Sequence, residues 1–454
     1  MMRRKLLSAT VLLSLMGFLV ACGSGGETGD IQTLTVACVG IGKEDDGSFS
    51  VPSLDEPVQQ FQEDHEEYQV VLTAYQRSAE TDEDELALLQ REIVSGEGPD
   101  VILFFGGYDM TDMIGNYTED LYSWLEEGWE DLYFENILDA FSYEGKLPAL
   151  PLSFTLKSIA VSDKTTGDRS GWTMEEMMDC YETACEASGE KLLLYAGESK
   201  KDVFALLLTA NLSDFVDWET GECQFESDSF QRILEFANRF PLKLNLAEDF
   251  SIAQAYGEGK CLIYPVSLSS VYDIAVPEAY FGEDVTFIGY PARDGDGTII
   301  SAGSIVVAIS ALSGQKEAAW EFISQFLEEE YQREKITYGF PVSKTVLLQQ
   351  IEDALNIEIE YEEGADGTST PVVKRKVSSE LDGTIAEIYQ ITETQKEQLL
   401  QIIERVSKGT VFDAQLNSLI LDETQGYFAG EKTVEETMEV IQSIAKMYVN
   451  ENLD

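Results

Sequence analysis

The chain has 454 residues, of which 44% are hydrophobic and 10% aromatic. It is too long for a single hydrophobic core, so two or more lobes are expected, and too apolar for a disordered protein. The net charge of −54 repels phosphate backbones and anionic bilayers, which argues against nucleic-acid binding and against a membrane contact driven by charge.

The N-terminus has the pattern of an export signal. Basic residues 3–5 precede an apolar run, Leu6 to Val20, which is shorter than the roughly 20 residues of a transmembrane helix. The run ends in Leu-Val-Ala-Cys at Cys22, which resembles the bacterial lipobox. This resemblance implies a lipoprotein signal peptide over 1–21, a diacylglyceryl group on Cys22 and a flexible tether over 22–33. An ordinary secretory signal with an incidental cysteine is the alternative.

The first third of the mature chain alternates between strands and helices. The predicted strands span 34–41, 70–75 and 100–105, and the predicted helices span 57–66 and about 86–93. The acidic run at 80–85 is interpreted as a helix N-terminus, where carboxylates complement the dipole, rather than as a metal site. This alternation predicts an α/β layer with a parallel sheet.

Ligands of such sheets bind beyond the carboxyl ends of the strands. Lys43 and Asp45 follow the first strand, and Tyr108 and Asp109 follow the third. An aromatic face beside a planar polar group suits a sugar ring and its hydroxyls, so these four residues are candidate ligand contacts. Solvent-exposed loops are the alternative interpretation.

A second α/β unit is predicted further along the chain. Its helices are expected at 173–187, 203–210, 230–240 and 317–327, its strands at 191–195, 261–264, 285–289 and 304–309, a surface hairpin at 357–377, and helices from Thr384 onward. The strand ends add Tyr195, Glu198, Tyr264 and Ser267 as candidate contacts, although Tyr264 fits a core position equally well.

Neither a metal centre nor a catalytic centre is predicted. His65 is the single histidine, which disfavours a Ser-His-Asp triad or a multi-histidine zinc site. The Asp-Gly-Asp-Gly run at 294–297 lacks the glutamate of a calcium loop, since its twelfth position is Ile305. The five cysteines after Cys22 form an odd set, so at least one free thiol is expected. No cofactor is implied.

Several motifs occur together in one order. They are Gly-Pro-Asp-Val-Ile at 98–102, Tyr-Glu-Gly-Lys-Leu-Pro-Ala-Leu-Pro at 143–151, Gly-Trp-Thr-Met-Glu-Glu at 171–176, Gly-Lys-Cys-Leu-Ile at 259–263, Ala-Ala-Trp-Glu-Phe-Ile at 318–323, and Gly-Phe-Pro-Val at 339–342. Together they resemble the extracellular solute-binding proteins of family one, the type that includes the maltose-binding protein and serves ABC importers of carbohydrates. The resemblance spans about residues 34–450.

The resemblance implies a two-lobe, periplasmic-binding-protein-like type II α/β fold, with a hinge and a ligand cleft between the lobes. It implies an N-terminal lobe of 34–150 plus 284–342 and a C-terminal lobe of 151–283 plus 343–454. The crossing segments would be Leu147 to Phe154, about Gly282 to Tyr290, and about Val342. Ser153 and Phe154 would then lie on the cleft floor, and Gly303 and Ser304 near the hinge.

The function implied is the membrane-anchored solute-binding component of an ABC importer. It would act as a monomer that captures a mono- or oligosaccharide by lobe closure and delivers it to permease subunits. It would be held by its lipid alone on the outer face of a Gram-positive cell, and it would catalyse no reaction. A surface glycoside-processing enzyme with two carboxylates, and a receptor or adhesin lipoprotein without transport, are the alternatives.

Overall fold

The computed structural model describes residues 31–451 except 45–46, 76–84, 107–116, 168, 210, 219, 244–249, 294, 296, 364–368 and 407–413. The predicted residues Cys22, Asp45, Tyr108 and Asp109 lie outside the described residues. The described part contains two five-stranded sheets and three two-stranded ladders. Its helices include none that is both long and apolar enough to cross a membrane.

The strands, in chain order, are β1 (Gln32–Val39), β2 (Tyr68–Tyr75), β3 (Val101–Phe105), β4 (Leu150–Pro151), β5 (Ser153–Ser162), β6 (Val216–Asp217), β7 (Glu222–Cys223), β8 (Ile263–Leu268), β9 (Val285–Phe287), β10 (Ile299–Ala302), β11 (Ile305–Ile309), β12 (Phe340–Pro341), β13 (Tyr361–Glu363), β14 (Ser369–Pro371), β15 (Arg375–Ser378) and β16 (Ile385–Ile388).

The α-helices are α1 (Asp55–Asp64), α2 (Glu85–Ser95), α3 (Trp129–Leu132), α4 (Glu135–Ala140), α5 (Asp163–Thr166), α6 (Met174–Ser188), α7 (Lys200–Thr209), α8 (Leu212–Phe215), α9 (Asp228–Ala237), α10 (Ile252–Gly257), α11 (Val276–Phe281), α12 (Lys316–Ser324), α13 (Glu329–Glu334), α14 (Lys344–Asn356), α15 (Glu393–Glu404), α16 (Ala414–Phe428) and α17 (Val434–Glu451). Short 3-10 turns lie at 52–54, 121–123, 271–275 and 325–327.

The first sheet has the strand order β2-β1-β3-β11-β4, with β1, β2 and β3 parallel and β11 antiparallel to β3. Its two faces bury separate apolar clusters. On one face Leu34 and Val36 lie in a cluster with Phe61 of α1, and on the other Val39 lies in a cluster with Leu89 of α2. Burial on both faces explains why these strands are continuously apolar in sequence.

The second sheet is built around the long strand β5. Strands β8 and β12 pair along one edge of β5, and strands β9 and β10 pair along its other edge. Phe154 and Leu156 face one apolar cluster, and Ile159 and Val161 face another, which α6, α7, α9, α16 and α17 cover. The chain therefore forms two separate sheets with their own cores.

The second crossing differs from the expected one. Residues 284–342 were expected in the first lobe, with a crossing near 282–290. Strands β9 and β10 instead pair with β5 in the second sheet, and the chain returns to the first sheet only at β11. This pairing satisfies backbone groups of β5 along an edge that would otherwise be open.

Three smaller differences concern local structure. The strand expected at 191–195 is reduced to one bridge, Leu193 with Cys261. The hairpin expected at 357–377 agrees with the antiparallel ladder β13–β14, but a second ladder, β15–β16, follows it, and the helices expected from Thr384 begin only with α15. All five cysteines of the described part are free thiols, among which burial raises the pKa of Cys38 to about 12.

Candidate functional site

Three segments pass between the two sheets, and Ser153 connects them. Its Oγ accepts a hydrogen bond from the backbone N–H of Ser304 at 3.1 Å and lies 3.3 Å from the Ser304 hydroxyl. The same Oγ donates to the carbonyl oxygen of Tyr338 at 3.0 Å. Ser153 has no exposed surface. One buried hydroxyl thus joins the segments at 151–153, 303–304 and 338–343, hereafter the crossings.

The crossings approach so closely that they require glycine. A Cβ at Gly303 would lie 2.2 Å from the Oγ of Ser153, and a Cβ at Gly339 would lie 2.8 Å from the carbonyl oxygen of Phe154. Gly339 also has a φ of +84°, in the left-handed region that side chains rarely adopt. Any larger residue at either position would push two crossings apart.

A buried amide fastens the first crossing to the third. Gln332 of α13 donates from Nε2 to the carbonyl oxygens of Leu152 at 3.2 Å and Phe326 at 2.9 Å. Its Oε1 accepts from the backbone N–H of Ser343 at 3.2 Å. Because the Gln332 side chain is fully buried and satisfied, these bonds fix the geometry from which the two lobes extend.

A polar patch on the second sheet lies beside the crossings. Along β5 the residues of one face are Ser153, Thr155 and Lys157, followed by Ile159 and Val161. Helices cover the two apolar residues, whereas Lys157 is exposed.

Neighbouring strands extend this face. Ser301 of β10 pairs with Thr155, and Ser267 of β8 pairs with Lys157. Residues paired across a sheet have Cβ atoms about 5 Å apart, so the hydroxyls and the ammonium group form one surface. Ser267 and Ser301 are exposed, whereas Thr155 is 6% exposed. We call Thr155, Lys157, Ser267 and Ser301 the cleft patch.

The first sheet presents the carboxyl ends of its parallel strands to the same region. The backbone N–H of Gly106, just after β3, donates to the carbonyl oxygen of Ser304 at 3.0 Å, which places the end of β3 at the second crossing. After β1, the ammonium group of Lys43 forms an ion pair with Glu85 at the start of α2, with Nζ–O distances of 2.7 and 2.9 Å. This pair connects the residues just after β1 to the start of α2.

Some of the predicted site residues lie at the cleft patch or the crossings, and others do not. Ser267 lies in the cleft patch, and Ser153, Gly303 and Ser304 form the crossings. Others are directed elsewhere: Phe154 is fully buried against Phe340, with ring centroids 5.5 Å apart.

The predicted aromatic contacts of the second lobe pack into cores. Tyr264 contacts the rings of Tyr256 at 5.3 Å and Tyr280 at 5.4 Å, so its core interpretation is the one that fits. Tyr195 packs against the cluster under the helices, and burial raises its pKa.

Glu198 has a structural role in the second lobe. Its Oε2 accepts from the backbone N–H groups of Leu194 at 2.6 Å and Tyr195 at 3.2 Å. These bonds replace a strand partner, which explains why 191–195 does not form the predicted strand. The side chain is 1% exposed, and burial raises its pKa from 4.5 to about 7.

Thr155, Lys157 and Ser301 were missed from the sequence. A signal was present, because the polar residues of Ser-Phe-Thr-Leu-Lys alternate with apolar ones at the period of a half-exposed strand. No group of three or more histidine, cysteine, aspartate or glutamate residues in the described ranges is arranged to hold a metal ion. The cleft patch therefore offers hydrogen bonds and one positive charge, which suit a hydroxylated solute.

Comparisons with known proteins agree with this architecture. The structure is similar to a periplasmic oligogalacturonide-binding protein from Yersinia enterocolitica (14% identity, TM-score 0.55, covering 92% of this chain and 100% of that one). It is similar to the sugar-binding protein MalE from Xanthomonas citri (13%, 0.54, 92% and 98%). It is also similar to a family 1 extracellular solute-binding protein from Alicyclobacillus acidocaldarius (12%, 0.52, 93% and 100%).

These likenesses establish the two-lobe type II fold of periplasmic binding proteins. A search of curated proteins gives no match. A family model described as bacterial extracellular solute-binding protein matches residues 56–359, which is more than half of the sequence. The chain therefore belongs to the bacterial extracellular solute-binding proteins.

Proposed function

We propose that this protein is the lipid-anchored, carbohydrate-binding component of an ABC importer. Its two lobes close around a mono- or oligosaccharide, and the closed form is what the permease subunits recognise. A ligand drives such closure only by binding the closed state more tightly than the open one. The protein acts as a monomer and makes or breaks no bond.

The observation that carries this proposal is the cleft patch beside the crossings. Ser267 and Ser301 offer two exposed hydroxyls that both donate and accept, which matches the hydroxyls of a sugar, and Thr155, which is 6% exposed, lies paired with Ser301. Lys157 adds donors only. The oligogalacturonide-binding and sugar-binding proteins of similar fold support a carbohydrate ligand.

We place the lobe boundaries by strand pairing. The signal peptide covers 1–21 and the lipidated tether 22–33. The first lobe takes 34–151 together with 304–337, because β11 and helices α12 and α13 pack on the first sheet. The second takes 153–302 and 340–451. Bending at Ser153, Gly303 and Gly339 would then open and close the cleft.

Ligand binding tests the proposal directly. Purified mature protein is titrated with mono-, oligo- and acidic saccharides by calorimetry and by thermal shift, in which a ligand raises the melting temperature by mass action. Thr155→Val and Ser301→Ala should each weaken the bound saccharide by about 3- to 10-fold, since each removes a hydrogen bond worth roughly 1 kcal/mol.

Lys146→Met is the matched control for Lys157→Met, because Lys146 is also an exposed lysine but does not belong to the cleft patch. The control should bind as the wild type does, and Lys157→Met should bind less tightly. If no saccharide binds to folded protein, or if the Thr155, Lys157 and Ser301 variants all bind normally, the carbohydrate site is not here. Steady hydrolysis of a bound glycoside would favour the enzyme alternative.

The anchor has its own test. Mass spectrometry of the mature protein from membranes should find an N-terminal cysteine at Cys22 carrying a diacylglyceryl group. Cys22→Ala should release the protein into the medium without altering saccharide affinity. A mature N-terminus elsewhere, with the wild-type protein free in the medium, would refute the anchor while leaving the binding function intact.

A further inference from the structure

A cavity of about 250 Å³ lies at the end of β5 that is far from the crossings. Its walls are the loop after α5, strand β9 and helix α15. Strand β9 pairs with β5 at Ala160 to Ser162, roughly 25 Å along the strand from Ser153. The cavity is therefore separate from the cleft patch, and its volume suits a small molecule.

Helix α15 presents a polar face to this cavity. Gln398, Gln401, Ile402 and Arg405 line it, and their spacing of three, four and seven residues places them on one side of a helix. The Arg405 guanidinium donates from Nη1 to the carbonyl oxygen of Ser170 at 3.0 Å, which joins the helix to the opposite wall. Arg169 lines the cavity from that wall.

The two arginines differ from most others in this acidic protein. In the described part of the chain, five arginines form ion pairs with carboxylates: Arg232, Arg239, Arg293, Arg333 and Arg375. Neither Arg169 nor Arg405 forms an ion pair with any carboxylate among the described residues. Among the described residues, Asp163 is the carboxylate that hydrogen-bonds to a lining side chain, its Oδ1 accepting from the Thr286 hydroxyl at 2.6 Å. Two positive charges thus border one cavity.

Gln398 supplies an unpaired acceptor at the same place. Its Nε2 donates to the carbonyl oxygen of Val285 at 2.6 Å. A carbonyl only accepts, so the other atom of the amide must be the oxygen. That Oε1 is buried and has no hydrogen-bond partner among the described residues. An unsatisfied buried acceptor costs about 1–3 kcal/mol, and a ligand that donates to it would remove this cost.

We propose that this cavity binds an oxyanion that also carries an O–H donor, such as hydrogen phosphate or a small hydroxycarboxylate. The anionic oxygens would accept from Arg169 and Arg405, and the O–H would donate to Oε1 of Gln398. Guanidinium groups are well matched to such oxygens. This site is independent of the solute bound in the cleft.

A comparison of the affinities for phosphate and sulfate tests the proposal. Both are tetrahedral oxyanions, but at neutral pH only phosphate carries a proton to donate. Calorimetry of the mature protein at constant ionic strength should give saturable phosphate binding. Sulfate should bind roughly 5- to 10-fold more weakly, because it leaves the Gln398 acceptor unpaired.

Variants assign the binding to this cavity. Arg169→Gln should weaken phosphate about 10-fold or more, since it removes a charge-assisted hydrogen bond. Gln398→Leu should abolish the preference for phosphate over sulfate. Arg293→Gln is the control, because Arg293 is a highly exposed arginine on the same lobe, and it should change neither affinity.

Arg405→Lys tests the second arginine, since it keeps the charge but loses the forked geometry. It should bind phosphate more weakly than the wild type. The proposal is overturned if millimolar phosphate shows no saturable binding. It is also overturned if Arg169→Gln binds phosphate as tightly as the wild type, or if sulfate and phosphate bind equally.

Discussion

The two ends of strand β5 face different surroundings on the same side of the sheet. At the crossings its residues are Ser153, which is buried and joins the crossings, Thr155, which is 6% exposed, and Lys157, which is exposed. Further along, Ile159 and Val161 lie fully buried under helices. One strand therefore supplies a binding surface at one end and a core at the other, and the change from polar to apolar residues marks where the helices begin to cover it.

The largest expected effect on stability comes from a substitution at the buried end of β5. Ile159→Ala should lower the free energy of unfolding by about 3–4 kcal/mol, because it leaves a cavity in the core. Urea unfolding measures the loss. Saccharide affinity of the folded variant should stay near the wild-type value. Ile385→Ala removes the same atoms from a side chain that is 52% exposed and should cost far less. Equal losses in the two variants would contradict the comparison.

The next largest effect on stability is expected from a substitution at the crossings. Gly303→Ala should destabilise the protein by about 2–3 kcal/mol, because the new Cβ collides with Ser153. Gly42→Ala is the control, since no heavy atom lies within 4 Å of a Cβ built there. Thermal unfolding of the two variants should differ clearly. If Gly303→Ala is as stable as Gly42→Ala, the crossings can move apart at little cost in free energy.

The third prediction concerns the pH dependence of stability that is caused by Glu198, a carboxyl group buried away from the crossings. Its pKa is raised in the folded state, so the folded protein holds a proton that the unfolded chain releases, and stability falls as the pH rises from about 4.5 to 7. Glu198→Gln lacks this titration. Relative to the wild type, the variant should gain about 2 kcal/mol between pH 5 and pH 8. Urea unfolding at both values measures it.

Glu186→Gln, on the exposed surface of α6, serves as the control for this pH comparison and should follow the wild type at both pH values. A constant difference between Glu198→Gln and the wild type across this range would show that Glu198 is ionised throughout.

The smallest effect removes one hydroxyl from the hinge. Ser153→Ala should cost about 1 kcal/mol, the net contribution of a typical hydrogen bond, because the Ser304 N–H and the Tyr338 carbonyl lose a partner. Ser324→Ala removes an exposed serine hydroxyl of α12 and should be neutral. Differential scanning calorimetry resolves the two. If Ser153→Ala does not change the stability, the hydrogen bonds of Gln332, and not those of Ser153, hold the crossings together.

The first sheet was largely predictable from sequence, because its parallel strands are short, apolar runs bounded by glycine or polar turns. The observed strands β1, β2 and β3 overlap the expected ones at 34–41, 70–75 and 100–105. The second crossing was not predictable. Whether β9 and β10 join the first sheet or the second depends on which edge of β5 is free, and that is decided by long-range pairing.

The site was predictable only in part. Small residues at a crossing, such as Gly303 and Ser304, carry a local signal, and so does the alternation that places Thr155 and Lys157 on one face. The aromatic residues were harder to assign. Tyr264 at a strand end satisfies a ligand pattern and a core pattern equally, and only the packing of Tyr256 and Tyr280 around it decides. Asp45, Tyr108 and Asp109 remain predictions.

The strand order of the first sheet determines how early during synthesis that sheet can form. Strand β11 sits between β3 and β4, so the first sheet is incomplete until residue 309 has been synthesised, and the second awaits β12 at 340–341. Contacts between such distant segments form late. The growing polypeptide therefore cannot complete its first sheet until about two thirds of the 454 residues have been synthesised.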